Sequence, residues 1–161
     1  MNDWTQIIRD HEKTVFGTAW RILGHVQDTE DVVQEVYLSA HRLYRTEKVH
    51  HWGALLRKLA TCRALDRLRR RRHTLPLDGS EPAGPADGPE EALLEQELLD
   101  RLRHAVGQLQ GREAEVFCLH YFEQLPGDQI ADVLETSRGA VANALYKARS
   151  RLETLFTSQW R

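Results

Sequence analysis

An all-α fold is predicted by three features of the sequence. Apolar residues recur at three- and four-residue intervals over long stretches, as at Val141, Leu145, Ala148, Leu152 and Leu155. No stretch carries the alternation of a half-buried strand, and there is no internal repeat. Four of the five prolines fall between residues 73 and 91, in a stretch without Lys or Arg. Pro and Gly at that density end helices, and little apolar surface is left to bury. The expected architecture is therefore two small helical domains, 1–72 and 92–161, joined by a flexible acidic Pro/Gly-rich linker, 73–91. A domain of this size buries only about 60% of its unfolded surface, so each is expected to lean on partners.

The first domain reads as three helices. The first, from Asp3 to Leu23, has Trp4, Ile7, Ile8, Val15, Ala19, Ile22 and Leu23 as its apolar stripe and stops at Gly24. The second, 28–45, opens with Asp28 as a cap, and Glu30 and Asp31 suit the positive end of the helix. Val32, Val33, Val36, Tyr37, Ala40 and Leu43 face inward, which leaves Asp31, Gln34, Glu35 and Arg42 for solvent or a partner. The third, 52–72, buries Trp52, Leu55, Leu56, Leu59, Leu65 and Leu68. From His50 to Arg72 it carries eight Lys/Arg against Asp66 alone. A helix so basic, with an aromatic at its start, suits nucleic-acid phosphates; a solvated helix end is the plainer reading.

The second domain ends in a helix-turn-helix pattern. A helix over 111–125 supplies Val116, Phe117, Leu119 and Phe122 as a roof. A two-turn helix with Ile130, Ala131 and Leu134 follows, then the turn Glu135-Thr136-Ser137. Ser137 caps the last helix, since its hydroxyl can accept from an unpaired first-turn amide. The face opposite the apolar stripe holds Gly139, Asn143, Tyr146, Lys147 and Ser150, and residues 137–152 contain four basic residues and no acid. Two helices joined by so short a turn, the second basic on its free face, can place that second helix in the major groove.

Charge and composition narrow the function classes. Residues 1–72 carry a net +5, 73–100 a net -8 and 101–161 a net +1, within a formal net charge of -2. Cys62 and Cys118 have neither disulfide-framework nor metal-ligand spacing, which suits a reducing compartment. No apolar run is long enough for a membrane span and the N-terminus lacks signal-peptide form, so a soluble, cytoplasmic protein without membrane insertion is expected. His50 and His51 project about 100° apart on a helix start and lack a third ligand, so no metal is expected. Without a Gly-rich phosphate loop or a nucleophile–base set, no catalytic residue, cofactor or enzymatic activity is expected either.

Three segments together resemble the sigma-70 superfamily of RNA polymerase sigma factors. DTEDVVQEVYLSAHRL is similar to the helix that grips the polymerase clamp. The basic helix 52–72 resembles the segment that melts and reads the -10 element. LQGREAEVFCLHYFEQLPGDQIADVLETSRGAVANALYKARSRL resembles the domain that reads the -35 element. Only these two domains are expected, the layout of the extracytoplasmic-function (ECF) group.

The resemblance implies transcription initiation without catalysis, with core RNA polymerase, promoter DNA and an anti-sigma factor as partners. It assigns core binding to Asp31, Gln34 and Glu35. The -10 element falls to Lys48, His50, Trp52, Arg63, Arg67, Arg69 and Arg70. The -35 element falls to Ser137, Arg138, Asn143, Tyr146, Lys147, Arg149 and Arg151, with Arg138 and Asn143 on base edges and Lys147, Arg149 and Arg151 on phosphates. Departures are local: Cys62 stands where the family often has Asn, Pro126-Gly127 replace a Ser and an aromatic, and Glu135-Thr136 replace the usual Gly of the turn. A one-component helix-turn-helix regulator is the alternative, but it leaves the helices over 28–45 and 52–72 without a role.

Overall fold

The computed structural model describes residues 3–74 and 89–159, and every regular element among them is helical. The first half contains α1 (Trp4–Leu23), α2 (Val26–Thr46) and α3 (Trp52–Thr74). The second contains α4 (Glu90–Gly107), α5 (Gly111–Phe117), a π-helical turn (Cys118–Phe122), α6 (Gly127–Val133) and α7 (Arg138–Gln159). Residues 75–88, most of the expected linker, lie outside the described residues. Helix α4 was not foreseen, although Leu94, Leu98, Leu102 and Val106 repeat every fourth residue.

Helix ends follow local chemistry. Gly24 terminates α1 at φ 61°, a left-handed conformation that costs glycine little, and its N–H bonds to Trp20 O. Helix α2 starts earlier than expected: His25 is its cap and its ring accepts from the Asp28 amide. Asp28, expected as the cap, lies instead in the first turn, where a carboxylate still suits the helix dipole. The Ser137 cap forms as expected, its hydroxyl accepting from the Ala140 amide at 3.0 Å.

The single helix expected over 111–125 is broken. It widens into the π turn at Cys118, and the chain reverses at Gln124, φ 57°. That change of winding turns the side chains two ways. Val116 and Leu119 join Leu125, Ile130, Ala131, Leu134, Val141 and Ala144 in the helix-turn-helix core. Phe117, Cys118 and Phe122, the first and last of which were expected to roof the same pair, pack toward the first half instead.

That second cluster joins the halves. Ile7, Val15, Ile22, Val32, Val36, Leu56 and Leu65 are continuous with Ala105, Val106, Leu109, Ala114, Phe117, Ala148 and Leu152. Leu68 lies on Gly107, where a Cβ would come within 3.3 Å of its side chain. A buried carboxylate, Glu123, is also set between the halves. It accepts hydrogen bonds from the Thr18 hydroxyl and from Arg21 Nε and Nη2 at 2.8–3.0 Å, with Arg57 Nε at 3.6 Å. A buried charge is tolerable only when paired in this way. The small halves thus lean on each other.

Candidate nucleic-acid interface

Helix α7 presents its polar face to solvent because Val141, Ala144, Ala148 and Leu152 bury the other. Arg138, Gly139, Asn143, Tyr146, Lys147 and Ser150 are exposed, Tyr146 at 69%. Arg138 and Lys147 have no ion-pair partner among the described residues. Arg149 and Arg151 are held. Arg149 donates to the Tyr121 hydroxyl and lies over its ring, 5.4 Å from the centroid. Arg151 Nε is 2.9 Å from Glu113 Oε2. Tyr121 had no place in the sequence reading, because its contact arises from the π turn and leaves no mark in the apolar periodicity.

The turn before α7 is well defined despite its unusual residue. Thr136 N–H bonds to Ala131 O and Glu135 N–H to Asp132 O, the paired bonds of a Schellman ending. Glu135 occupies its left-handed position at φ 54°, where glycine is favoured.

The basic helix α3 is more heavily engaged than expected. Arg67 faces three carboxylates of α2, Glu35 at 3.2 Å, Asp31 at 3.6 Å and Asp28 at 4.0 Å. Arg71 Nη2 is 3.1 Å from Asp28 and donates to Leu23 O. Residues assigned from the resemblance to polymerase and to DNA therefore form one charge cluster. Arg63 donates to Ser39, and Arg69 pairs with Asp66 and donates to Leu109 O in the second half. Lys48, His50 and Arg70 are exposed.

Trp52 is buried, as the apolar stripe of its helix predicts, with the rings of Trp4 and Tyr44 6.2 Å from its own, which leaves the aromatic contact with DNA implied by the resemblance without an exposed ring. With 9% of its surface exposed, Trp52 is spent on packing and anchors the start of α3. Cys62 is partly buried, close to the Glu115 carboxylate of the second half. Burial, with the Glu115 carboxylate, pushes its pKa up to about 12. Cys118, wholly buried at the start of the π turn, is pushed up further, chiefly by desolvation. Neither thiol is ionised near neutral pH. Among the described residues no group of His, Cys, Asp or Glu is placed to hold a metal, and no helix is long and apolar enough to cross a membrane.

A basic three-helix unit beside a helix-turn-helix defines a nucleic-acid-binding class of protein, and comparison narrows it. Residues 7–74 match sigma-70 region 2 and residues 99–152 match sigma-70, region 4. The chain is 25% identical over 162 residues to the ECF RNA polymerase sigma factor SigW of Bacillus subtilis, covering 92% of this chain and 86% of that one. It is 27% identical over 158 residues to the ECF sigma factor SigE of Mycolicibacterium smegmatis, covering 94% and 61%. Among solved structures, CnrH in complex with the cytosolic domain of CnrY superposes at a TM-score of 0.64, with 22% identity over 97% of this chain and 88% of that one. Sigma factor SigJ of Mycobacterium tuberculosis gives 0.52 at 23% identity, over 88% and 50%.

The chain belongs to the sigma-70 family, with region 2 and region 4 in order on one polypeptide. Within it, the chain is an extracytoplasmic-function sigma factor. Sigma factors as a class are regulatory and non-catalytic.

Proposed function

We propose that this sigma factor recruits core RNA polymerase through α2 and directs it to promoters through α3 and α7. The observation that carries this reading is the exposed face of α7 over residues 138–152, which holds no acid, set behind a short helix and a Schellman turn, in one chain with a region 2 domain. On α2, Asp31, Gln34 and Glu35 form the polymerase contact. On α3 and the turn before it, Lys48, His50, Arg63, Arg67, Arg69 and Arg70 serve the -10 element, with Trp52 fixing the start of the helix from within. Extruding a base there costs a few kcal/mol, which phosphate neutralisation helps offset.

On α7, Arg138 and Asn143 sit on the N-terminal turns that enter the major groove, suited to guanine and adenine edges. Lys147, Arg149 and Arg151 position the helix on phosphates; Tyr146 projects from the same face, and Ser137 holds the helix start. Residues 1–72 and 92–161 act as the two reading domains, with 73–91 as their connection. An anti-sigma factor is the expected regulator, in line with the CnrH–CnrY complex, and the site of action is the cytoplasm. Run-off transcription tests the reading: core polymerase plus this chain yields a promoter-dependent transcript that neither yields alone. No transcript from any promoter library, with core binding intact, overturns it.

A further inference from the structure

The π turn places Tyr121 where neither α5 nor α7 would put an aromatic by simple periodicity. Its ring is seated on Phe117, 4.8 Å between centroids, and the His120 ring meets it edge-on at 4.8 Å. Phe117 is itself buried in the core shared by the two halves. Tyr121 remains 43% exposed, with its outer side turned to α7. There Arg149 Nε donates to its hydroxyl while the guanidinium lies over the ring. An exposed arginine otherwise samples many rotamers and must lose that freedom to hold a phosphate. Anchored to a ring that is anchored to the core, Arg149 has already lost it. Only part of the guanidinium is used, since its terminal nitrogens have no other partner among the described residues and remain donors.

We propose that Tyr121 is a positioning residue for promoter recognition: it holds Arg149 ready for a backbone phosphate flanking the -35 element. This rests on the reading that α7 engages that element. The π turn supports the assignment, because such turns occur frequently at functional sites. Tyr121 acts through Arg149, so its loss reaches the DNA as the loss of a cation's contribution although tyrosine carries no charge.

The test uses the full chain with core polymerase on a promoter duplex, measuring affinity against salt for Tyr121→Phe, Arg149→Ala and the double variant. Tyr121→Phe keeps the ring and its packing on Phe117, so thermal stability of the chain stays at the parent's value. It is expected to weaken binding roughly three- to tenfold. The salt dependence is expected to fall by up to about one phosphate contact, the change expected for Arg149→Ala. In the double variant the hydroxyl's loss adds nothing to that of Arg149. An undiminished salt dependence with weaker binding overturns the proposal and leaves Tyr121 as a direct donor only; additive losses overturn it likewise, as does unchanged binding by Tyr121→Phe. If the parent holoenzyme ignores the -35 sequence, the reading of α7 fails and the proposal falls with it. If Arg149→Ala alone has no effect while the -35 sequence matters, only the phosphate contact proposed here is lost.

Discussion

Glu35 Oε1 lies 3.2 Å from Arg67 Nη2, so a residue assigned to polymerase holds a residue assigned to DNA. Asp31 and Asp28 complete the cluster. Core polymerase that engages Asp31 and Glu35 would release Arg67 to a phosphate, and the carboxylates that repel that phosphate would be covered. Glu35→Gln is expected to tighten binding of DNA by the isolated chain about three- to fivefold at low salt, with the gap closing as salt screens the pair. Fluorescence anisotropy against Glu30→Gln, which removes one charge from an exposed site of the same helix, separates this effect from a general loss of negative charge. Equal gains would mean that Arg67 is not restrained. Gln34→Ala with Glu35→Ala should weaken core binding while changing stability by no more than about 1 kcal/mol, since the pair is partly exposed.

Arg138 and Lys147 divide specificity from affinity on α7. Arg138→Ala is expected to cost roughly 1–3 kcal/mol and to relax one position of the -35 element. Lys147→Ala should weaken all sequences about equally and flatten the salt dependence. Binding-site selection checks both; an unchanged -35 preference for the Arg138 variant would remove it from the base contacts.

The turn of the helix-turn-helix holds removable strain. Glu135 at φ 54° closes the Schellman ending of α6, and a side chain in that conformation costs about 1–2 kcal/mol relative to glycine. Glu135→Gly also gains freedom in the unfolded chain, so a net stabilisation of about 1 kcal/mol is expected. Urea unfolding measures it, and no gain would mean that the turn carries no strain.

Removing the Glu123 carboxylate should loosen the junction of the halves. Glu123→Ala leaves the Thr18 hydroxyl and the Arg21 guanidinium without their shared acceptor. Breaking a fully buried pair costs about 3–5 kcal/mol; Arg21 is 45% exposed and recovers water, so about 2 kcal/mol is expected. Denaturant titration followed by tryptophan fluorescence reports the loss, and a variant as stable as the parent would deny the junction its energetic role.

The thiols make stability fall at high pH. Cys62, with its pKa raised to about 12, and Cys118, raised further, keep protons that the unfolded chain gives up from about pH 9. The unfolded state thus binds fewer protons above that pH, and stability contributed by the protonated thiols declines as pH climbs toward 12. At pH 8 a thiol reagent should modify neither cysteine in the native chain and both in denaturant. Rapid labelling of native Cys62 would contradict the burial that raises its pKa.

Much of this protein is decided locally, and so was legible in the amino-acid sequence. The stripe of Ile7, Val15, Ala19, Ile22 and Leu23 with Gly24 behind it determines α1 and its end. Ser137 and the spacing of Val141, Ala148 and Leu152 determine α7 and which side of it is free. The order of the motifs also determined the family. Contacts between residues distant in sequence were beyond that reading. Helical spacing says that Trp52 and Arg67 lie on α3, but only packing decides that Trp4 and Tyr44 enclose the one and that Asp28, Asp31 and Glu35 hold the other. The π turn is decided the same way. Phe117 and Phe122 can bury against the first half only if the helix widens between them, and that widening sends Tyr121 to Arg149. Periodicity is a property of one helix; the partner of each face is chosen by the free energy of the whole core.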